Sequence, residues 1–256
     1  MAVVNYETIR VREEGKICYL QIYRPENNNT INDQLIKDCH HVLDSMSNEI
    51  TIVVLEGLPE TFCFGADFKE LYQKNQEASE NQPHPEDMYE LWQRLYTGPF
   101  VSIANVKGKV NAGGMGFVSA CDIVIADETA VFSLSELLFG IYPAIVFPFL
   151  VNKIGLNKAN YFTMMTQPLN VEKAYEYGLV NAYAKDTTSL LRRNLLRLKV
   201  LSKRGIENYK KYRNQYTEGI FYHKAGAIEA NKEMFSNPEN LSDIFNFVEK
   251  GKYPWE

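Results

Sequence analysis

Read for its spacing of apolar and polar positions, the chain begins as strands and ends as helices. Residues 8–12 alternate, a Glu-Glu-Gly turn follows, and 16–23 (KICYLQIY) is rich in β-formers, so two strands are predicted. Pro25 and the run Asn27-Asn28-Asn29 predict a loop, with Asn32 placed to cap a helix over 33–46. The short apolar run 52–55, bounded by polar residues and Gly57, suits a buried parallel strand. Residues 59–67 read as a loop entering a helix over 67–73. The polar stretch 74–87 carries two prolines and is expected to be mobile, an active-site flap rather than a linker. A helix over 86–96 follows, then strands at 100–104 and 109–110, a helix opened by Ala112-Gly113-Gly114 and running to 120, and a strand at 122–126. From about Pro148 the spacing turns mostly helical: 149–154, 158–165, 171–177 and 188–216. Such alternation predicts an α/β layered core with parallel or repeated ββα character. The expected division is a core over 1–187 and a C-terminal helical region over 188–256.

Composition changes this picture little. With 45% hydrophobic and 23% charged residues the chain reads as an ordinary globular protein, and its net charge of −5 speaks against a dedicated nucleic-acid binder. No apolar run nears the roughly 18–20 residues that cross a bilayer. Residues 1–16 lack a signal peptide's basic start and apolar centre, so the expected location is the cytoplasm, without a membrane partner. Cys18, Cys39, Cys63 and Cys121 form no CxxC pair and are expected to be reduced and largely buried. Cys39-His40-His41 resembles a metal cluster, but helical neighbours point about 100° apart and cannot converge on one ion. No metal is expected.

The richest glycine segment, 108–122 (GKVNAGGMGFVSACD), fails as a dinucleotide fingerprint because Ser119 stands where a third glycine is required. It lacks the Gly-Lys-Ser/Thr of a P-loop, and no Gly-x-Ser-x-Gly elbow is present in the chain. What remains is a glycine pair at a helix start directly after a strand. Backbone N–H groups there can hold an anion or a developing oxyanion. Close packing would equally explain the glycines.

A second glycine loop, 61–71 (TFCFGADFKEL), followed by KVNAGGMGFVSACDIVIAD, resembles the two signature segments of the crotonase (enoyl-CoA hydratase/isomerase) superfamily. Tyr23-Arg24-Pro25 with Thr30-Ile31-Asn32, the segment 132–143 (FSLSELLFGIYP) and the segment 170–180 (NVEKAYEYGLV) resemble three further family segments in the same order. The resemblance spans about residues 6–215 and implies the crotonase fold: repeated ββα units forming a layered spiral core, with a C-terminal helical trimerisation subdomain. It also implies an oxyanion hole made by the backbone N–H groups of Phe64 and Gly113. Gly65, Ala66, Asp67, Gly114 and Ala144 fall at substrate-binding positions. Because backbone groups do the work, the Phe64 side chain is free to vary and is expected beside the acyl pocket.

The family's acids carry over in part. Hydratases use two glutamates, one of them three residues past the oxyanion glycine; that position is Gly116, which transfers no proton. The other lies fourteen residues past Asp122, at Glu136, whose neighbours Leu134, Leu137, Leu138 and Phe139 would raise its pKa by burial. A capping role after Ser133 or Ser135 is the competing reading of Glu136. The stretch Ala144-Ile145-Val146-Phe147 replaces a Gly-x-Gly-Gly run common in relatives and implies a differently shaped pocket. With one carboxylate, Glu136 can act as general base and then acid in a syn elimination.

The wording of FCFGADF, SLSELLFGIYPA and the closing Tyr-Pro-Trp-Glu is similar to that of one crotonase subgroup, the dehydratases of polyketide-synthase β-branching cassettes. That similarity implies dehydration of a 3-hydroxy-3-methylglutaryl-type thioester on an acyl carrier protein to a 3-methylglutaconyl-type thioester, which a partner decarboxylase consumes. The acyl group would ride on the carrier's phosphopantetheine or on coenzyme A, with no further cofactor. A homotrimer or hexamer is implied as well. Tyr72, His84, Tyr89 and Arg94 are weak candidates to meet the substrate's distal carboxylate. The span 192–213 holds nine Arg/Lys and one acid, Glu207, and could dock an acidic carrier or coenzyme A phosphates, or simply be a solvated helix face. The alternatives are a hydratase or isomerase of a coenzyme A ester, and a non-catalytic crotonase-scaffold binding protein that grips RNA through the basic span.

Overall fold

A computed structural model of the chain describes residues 5–76 and 84–256. Its strands are β1 (Ile9–Glu14), β2 (Ile17–Ile22), β3 (Ile52–Glu56), β4 (Thr61–Cys63), β5 (Val101–Val106), β6 (Lys109–Asn111), β7 (Ile123–Asp127), β8 (Val131–Ser133), β9 (Leu169–Asn170) and β10 (Ala182–Ala184). The first half carries helices α1 (Asp33–Ser45), α2 (Phe68–Gln76), α3 (Pro85–Thr97) and α4 (Gly114–Ala120). The second half adds α5 (Phe147–Ile154), α6 (Leu156–Met165), α7 (Val171–Tyr177), α8 (Thr187–Leu198), α9 (Lys203–Arg213), α10 (Glu218–Tyr222), α11 (Lys224–Ser236) and α12 (Pro238–Lys250).

Two sheets result. One runs in the order β1-β2-β3-β5-β7-β10, parallel throughout except for the β1–β2 hairpin; the other runs β4-β6-β8-β9. Each of β3, β5 and β7 hands the chain to the second sheet as β4, β6 and β8, and helical segments then return it, which is a spiral of ββα turns. Side-chain alternation sorts the apolar residues of the large sheet onto two faces. Ile17, Tyr19, Ile52, Val54, Ile103 and Ile125 meet Leu190, Leu191 and Leu195 of α8. Cys18, Leu20, Val53, Leu55, Ala104 and Val124 enter the main core under α1, α3, α4 and α5. Both faces are covered, which is why β3 reads as an unbroken apolar run.

Several expectations change. Residues 61–63, read as loop, are β4, and β8, β9 and β10 have no counterpart in the sequence reading. These strands are two or three residues long, too short for a period of two to register. The helix expected over 188–216 breaks into α8 and α9, because Ser202 caps a new start by accepting from the Gly205 N–H at 3.1 Å. Among the described residues no helix is long and apolar enough to cross a membrane.

The basic span is not one free face. Lys210 is 3% exposed, with Nζ 2.7 Å from Asp122 Oδ2, and Arg213 Nη1 lies 2.6 Å from Asp122 Oδ1. Asp122 also accepts from the Ser102 N–H and hydroxyl, so one carboxylate ties α9 to β5 and the start of β7. Lys203 donates to the Asn48 carbonyl and Lys211 pairs with Glu207, while Arg192, Arg193, Arg197, Lys199 and Arg204 remain exposed. Lys210 is therefore removed from any docking surface. Asp122→Ala strands the buried Lys210 charge and is expected to cost about 3–5 kcal/mol. Lys211→Ala, at an exposed pair, should cost under about 1 kcal/mol. Urea unfolding of both variants checks the contrast.

Candidate active site

Three neighbouring parallel strands, β4, β6 and β8, end side by side, with Cys63 opposite Val110 and Asn111 opposite Ser133. Open parallel sheets offer their ligand sites beyond such carboxyl ends. Here they deliver 64–67, 112–114 and 134–136 to one place. The first two loops touch. A Cβ on Gly114 would lie 2.4 Å from the Cys63 carbonyl oxygen, and one on Gly65 would lie 2.9 Å from Ala112 Cβ and 3.3 Å from the Gly113 nitrogen. Gly65 has φ +88°, and Ala112 takes the left-handed region as a non-glycine residue at φ +48°.

Side chains brace each loop. Asn29, fully buried at φ +53°, directs its amide to the carbonyls of Ile22, Thr61 and Phe62 at 3.0–3.2 Å and accepts from the Arg24 N–H at 2.8 Å. Ile31 N–H donates to the Gly65 carbonyl at 2.7 Å, and Asp67 N–H donates to that of Ile31 at 2.9 Å. The Asp67 carboxylate meets Arg24 at 3.0 Å and Thr30 Oγ1 at 2.9 Å, and accepts from the Glu70 N–H in the first turn of α2. The second loop hangs on Asn111. Its amide accepts from Ser133 Oγ at 2.9 Å and donates to Ser135 Oγ at 3.0 Å, while Ala112 N–H donates to the Ser133 carbonyl at 3.1 Å. The glycine loop and the approach to Glu136 are thus one hydrogen-bonded unit.

Glu136 begins a 3-10 turn, Glu136–Phe139, and is 9% exposed. Ser135 at the N-cap makes no side-chain capping bond, since its hydroxyl is held by Asn111. Burial pushes the Glu136 carboxyl up to about 7, and the backbone N–H groups of Glu136 and Ser135 offset part of that rise. Its Oε2 has no hydrogen-bond partner among the described residues. The carboxyl faces a cavity of about 250 Å³ shared with Ala66, Asp67, Gly113, Ala144 and Trp92. The far wall comes from α11 and α12 through Lys232, Phe235 and Phe245. Phe139, on the Glu136 turn, packs on Phe247 and stacks with Tyr253, so the C-terminal helices also set that turn.

The N–H of Gly113 has no acceptor among the described residues, and that of Phe64 reaches the Asn29 carbonyl at 3.4 Å, beyond the usual range. Gly65 and Gly114 lie where the backbones touch, whereas Ala66, Asp67, Gly113, Ala144 and Glu136 line the cavity. The Phe64 side chain departs from expectation: it is 41% exposed and absent from the cavity wall, because the sharp Gly65 turn faces it outward. Gly116 is explained by Trp92, whose ring carbons would lie 2.3–2.5 Å from a Cβ there. Of the carboxylate candidates, Tyr72 bonds Glu249, Tyr89 bonds the Ile220 carbonyl, and Arg94 bonds His40 and Asp44; His84 lines the cavity. Half of the flap read at 74–87, residues 77–83, lies outside the described residues. Cys39, His40 and His41 diverge, His40 to Asp87 and Arg94, His41 to Tyr6, with Cys39 buried. The four thiols are unpaired and buried, and burial raises the pKa of each. Asn29, Asn111, Trp92 and Lys232 were not singled out by sequence; a positive-φ asparagine run was the one available hint.

The enoyl-CoA hydratase/isomerase family matches residues 12–256. The Bacillaene synthase dehydratase PksH of Bacillus subtilis (strain 168) is 52% identical over 257 residues, covering 100% of this chain and 99% of that protein. A crystal structure of the polyketide biosynthesis enoyl-CoA hydratase pksH from Bacillus subtilis superposes with a TM-score of 0.95 at 51% identity, covering 98% of this chain and 100% of that one. Hydroxycinnamoyl-CoA hydratase-lyase of Pseudomonas fluorescens is 30% identical over 205 residues, 75% of this chain and 74% of that protein.

The Glu136 environment has a stability signature. Its folded-state pKa lies above the unfolded value, so the folded state binds the proton more tightly and stability falls as pH rises from about 4.5 to 7. Glu136→Gln should match wild type near pH 4.5 and exceed it above pH 7 by up to about 3 kcal/mol. Thermal unfolding across that range checks the sign.

Proposed function

The chain belongs to the enoyl-CoA hydratase/isomerase family, with its crotonase fold and hydro-lyase chemistry, and from that premise we propose that it dehydrates a 3-hydroxy-3-methylglutaryl-type thioester on an acyl carrier protein in polyketide β-branching. The product is a 3-methylglutaconyl-type thioester. The observation that carries this reading is the pairing of whole-length likeness to a polyketide-synthase dehydratase with a single buried, raised and under-bonded carboxyl in the cavity.

On this reading Glu136 removes the C2 proton, and the electron pair moves into the thioester, placing charge on its oxygen. The N–H groups of Phe64 and Gly113 receive that oxygen, each worth roughly 3–4 kcal/mol as fixed donors. The pair then returns to form the C2–C3 double bond. The C3–O bond breaks, and Glu136 gives the same proton to the departing hydroxyl, so one water leaves and the carboxylate is restored. A pKa near 7 suits a group that must both take and give a proton. Gly65 and Gly114 let the donors converge, Asp67 braces the first loop, and Ala66, Gly113 and Ala144 leave room for the acyl group.

The chemistry needs no cofactor beyond the phosphopantetheine, or coenzyme A, that carries the acyl group. The expected setting is a cytoplasmic homotrimer or hexamer, with a decarboxylase consuming the product. Carrier docking would fall to the exposed arginines of α8 and to Arg204. A second reading, hydration or isomerisation of a coenzyme A ester, is favoured by relatives such as the hydroxycinnamoyl-CoA hydratase-lyase. Mass spectrometry of carrier-bound 3-hydroxy-3-methylglutaryl thioester separates the two. Wild type should remove one water and Glu136→Gln should not. Absence of water loss on the carrier, with turnover of a coenzyme A ester instead, would contradict the proposal.

A further inference from the structure

Strands β6 and β8 stay in register as far as Asn111 and Ser133. Past that point one chain continues to Gly113, two residues on, and the other to Glu136, three residues on. The Asn111 amide reaches beyond the ladder. Its Nδ2 donates to Ser135 Oγ at 3.0 Å, and its Oδ1 lies 3.2 Å from the same hydroxyl. Oδ1 also accepts from Ser133 Oγ at 2.9 Å, and that hydroxyl lies 3.2 Å from the Val110 carbonyl oxygen. One amide thus clamps the residue directly before Glu136 to the end of the strand that leads into Gly113.

The clamp bears on the reacting group. The Ser135 backbone N–H is one of two that favour the ionised Glu136 carboxyl against the effect of burial. A shift of Ser135 therefore changes both the direction of the carboxyl and its affinity for a proton. Charged residues also stand on the cavity wall, namely Asp33, Asp67, Glu70, His84 and Lys232, but they are not among the causes of the raised Glu136 pKa. The far end of the Glu136 turn is held separately, by Phe139 against Phe247 and Tyr253. The described cavity wall includes none of Asn111, Ser133 and Ser135, so their influence on a substrate passes through Glu136 and Gly113.

We infer that Asn111 is a positioning residue for the reaction: through the Ser135 hydroxyl it fixes the Glu136 carboxyl relative to the Gly113 N–H. The group that takes the C2 proton and a donor that meets the developing charge then keep one geometry. This assignment rests on the dehydratase reading above and deepens it. Asn111 itself exchanges no proton with the substrate. A misplacement of about 1 Å in such a constellation costs on the order of a hundredfold in rate.

The test compares wild type with Asn111→Ala, Ser135→Ala and the double variant on carrier-bound 3-hydroxy-3-methylglutaryl thioester. Ser135→Ala removes the clamp and leaves the Asn111–Ser133 bond, so it carries the test alone if Asn111→Ala fails to fold. Each single variant should lose about tenfold or more in kcat, with KM within about twofold. The double variant should lose no more than about twofold beyond Asn111→Ala, since both changes cut the same link. In Ser135→Ala the ionisation seen in kcat/KM should move upward from about 7, as the Ser135 N–H loses its hold on the carboxyl. Wild-type kcat or an unmoved ionisation in Ser135→Ala, losses that multiply in the double variant, or a loss confined to KM would overturn the assignment and leave Asn111 as a strand-end brace. Wild type that dehydrates no carrier-bound substrate would instead overturn the reaction itself, and this inference with it.

Discussion

Two stretches of backbone touch at this site with no room for a side chain between them, and the rest of the arrangement depends on that contact. Gly114 lies against the Cys63 carbonyl and Gly65 against Ala112, at separations that any Cβ would violate. The contact sets Gly65, next to Phe64, against the Gly113 nitrogen. It holds because β4 and β6 are hydrogen-bonded neighbours whose ends leave in the same direction. Asn111 then extends the arrangement to β8 through Ser133 and Ser135, so the Glu136 turn is placed relative to the donors by bonds of 2.9–3.0 Å. Fixed donors are effective because they need no reorganisation as charge develops.

Burial supplies the other half of the chemistry. Glu136 stands at the edge of an apolar cavity closed on its far side by α11 and α12, and desolvation keeps its proton affinity near neutrality. The aromatic cluster of Phe139, Phe247 and Tyr253 keeps that turn in place from the C-terminal side. Trp92 and Gly116 share one volume, and the sterics of that pair leave position 116 without a side chain.

All of the large sheet but its short edge strand β10 was legible in the sequence, and its central strands read as apolar runs: 52–55 reads as a buried strand and is one. Of the second sheet only 109–110 was read as a strand, since Thr61–Cys63 and Val131–Ser133 are too short to show a period, yet this sheet positions the site. Glu136, Phe64 and Gly113 were reached through resemblance to family segments rather than through spacing. Phe64 shows the limit of that route, because a residue used through its backbone leaves its side chain direction open, and here it faces outward. Lys210 and Arg213 resembled part of a basic face until Asp122, far away in sequence, proved to be their partner. Asn29, Asn111 and Trp92 matter through tertiary neighbours that no local pattern encodes.

The central claim is that a single buried carboxyl of raised pKa moves the proton. The most direct measurement is the pH dependence of kcat/KM for the carrier-bound hydroxyacyl thioester, from about pH 5 to 9. One ionisation near pH 7, with the rate falling about tenfold per unit below it, is the predicted result. A rate that holds level down to about pH 5, where an ordinary carboxylate begins to protonate, would contradict the account.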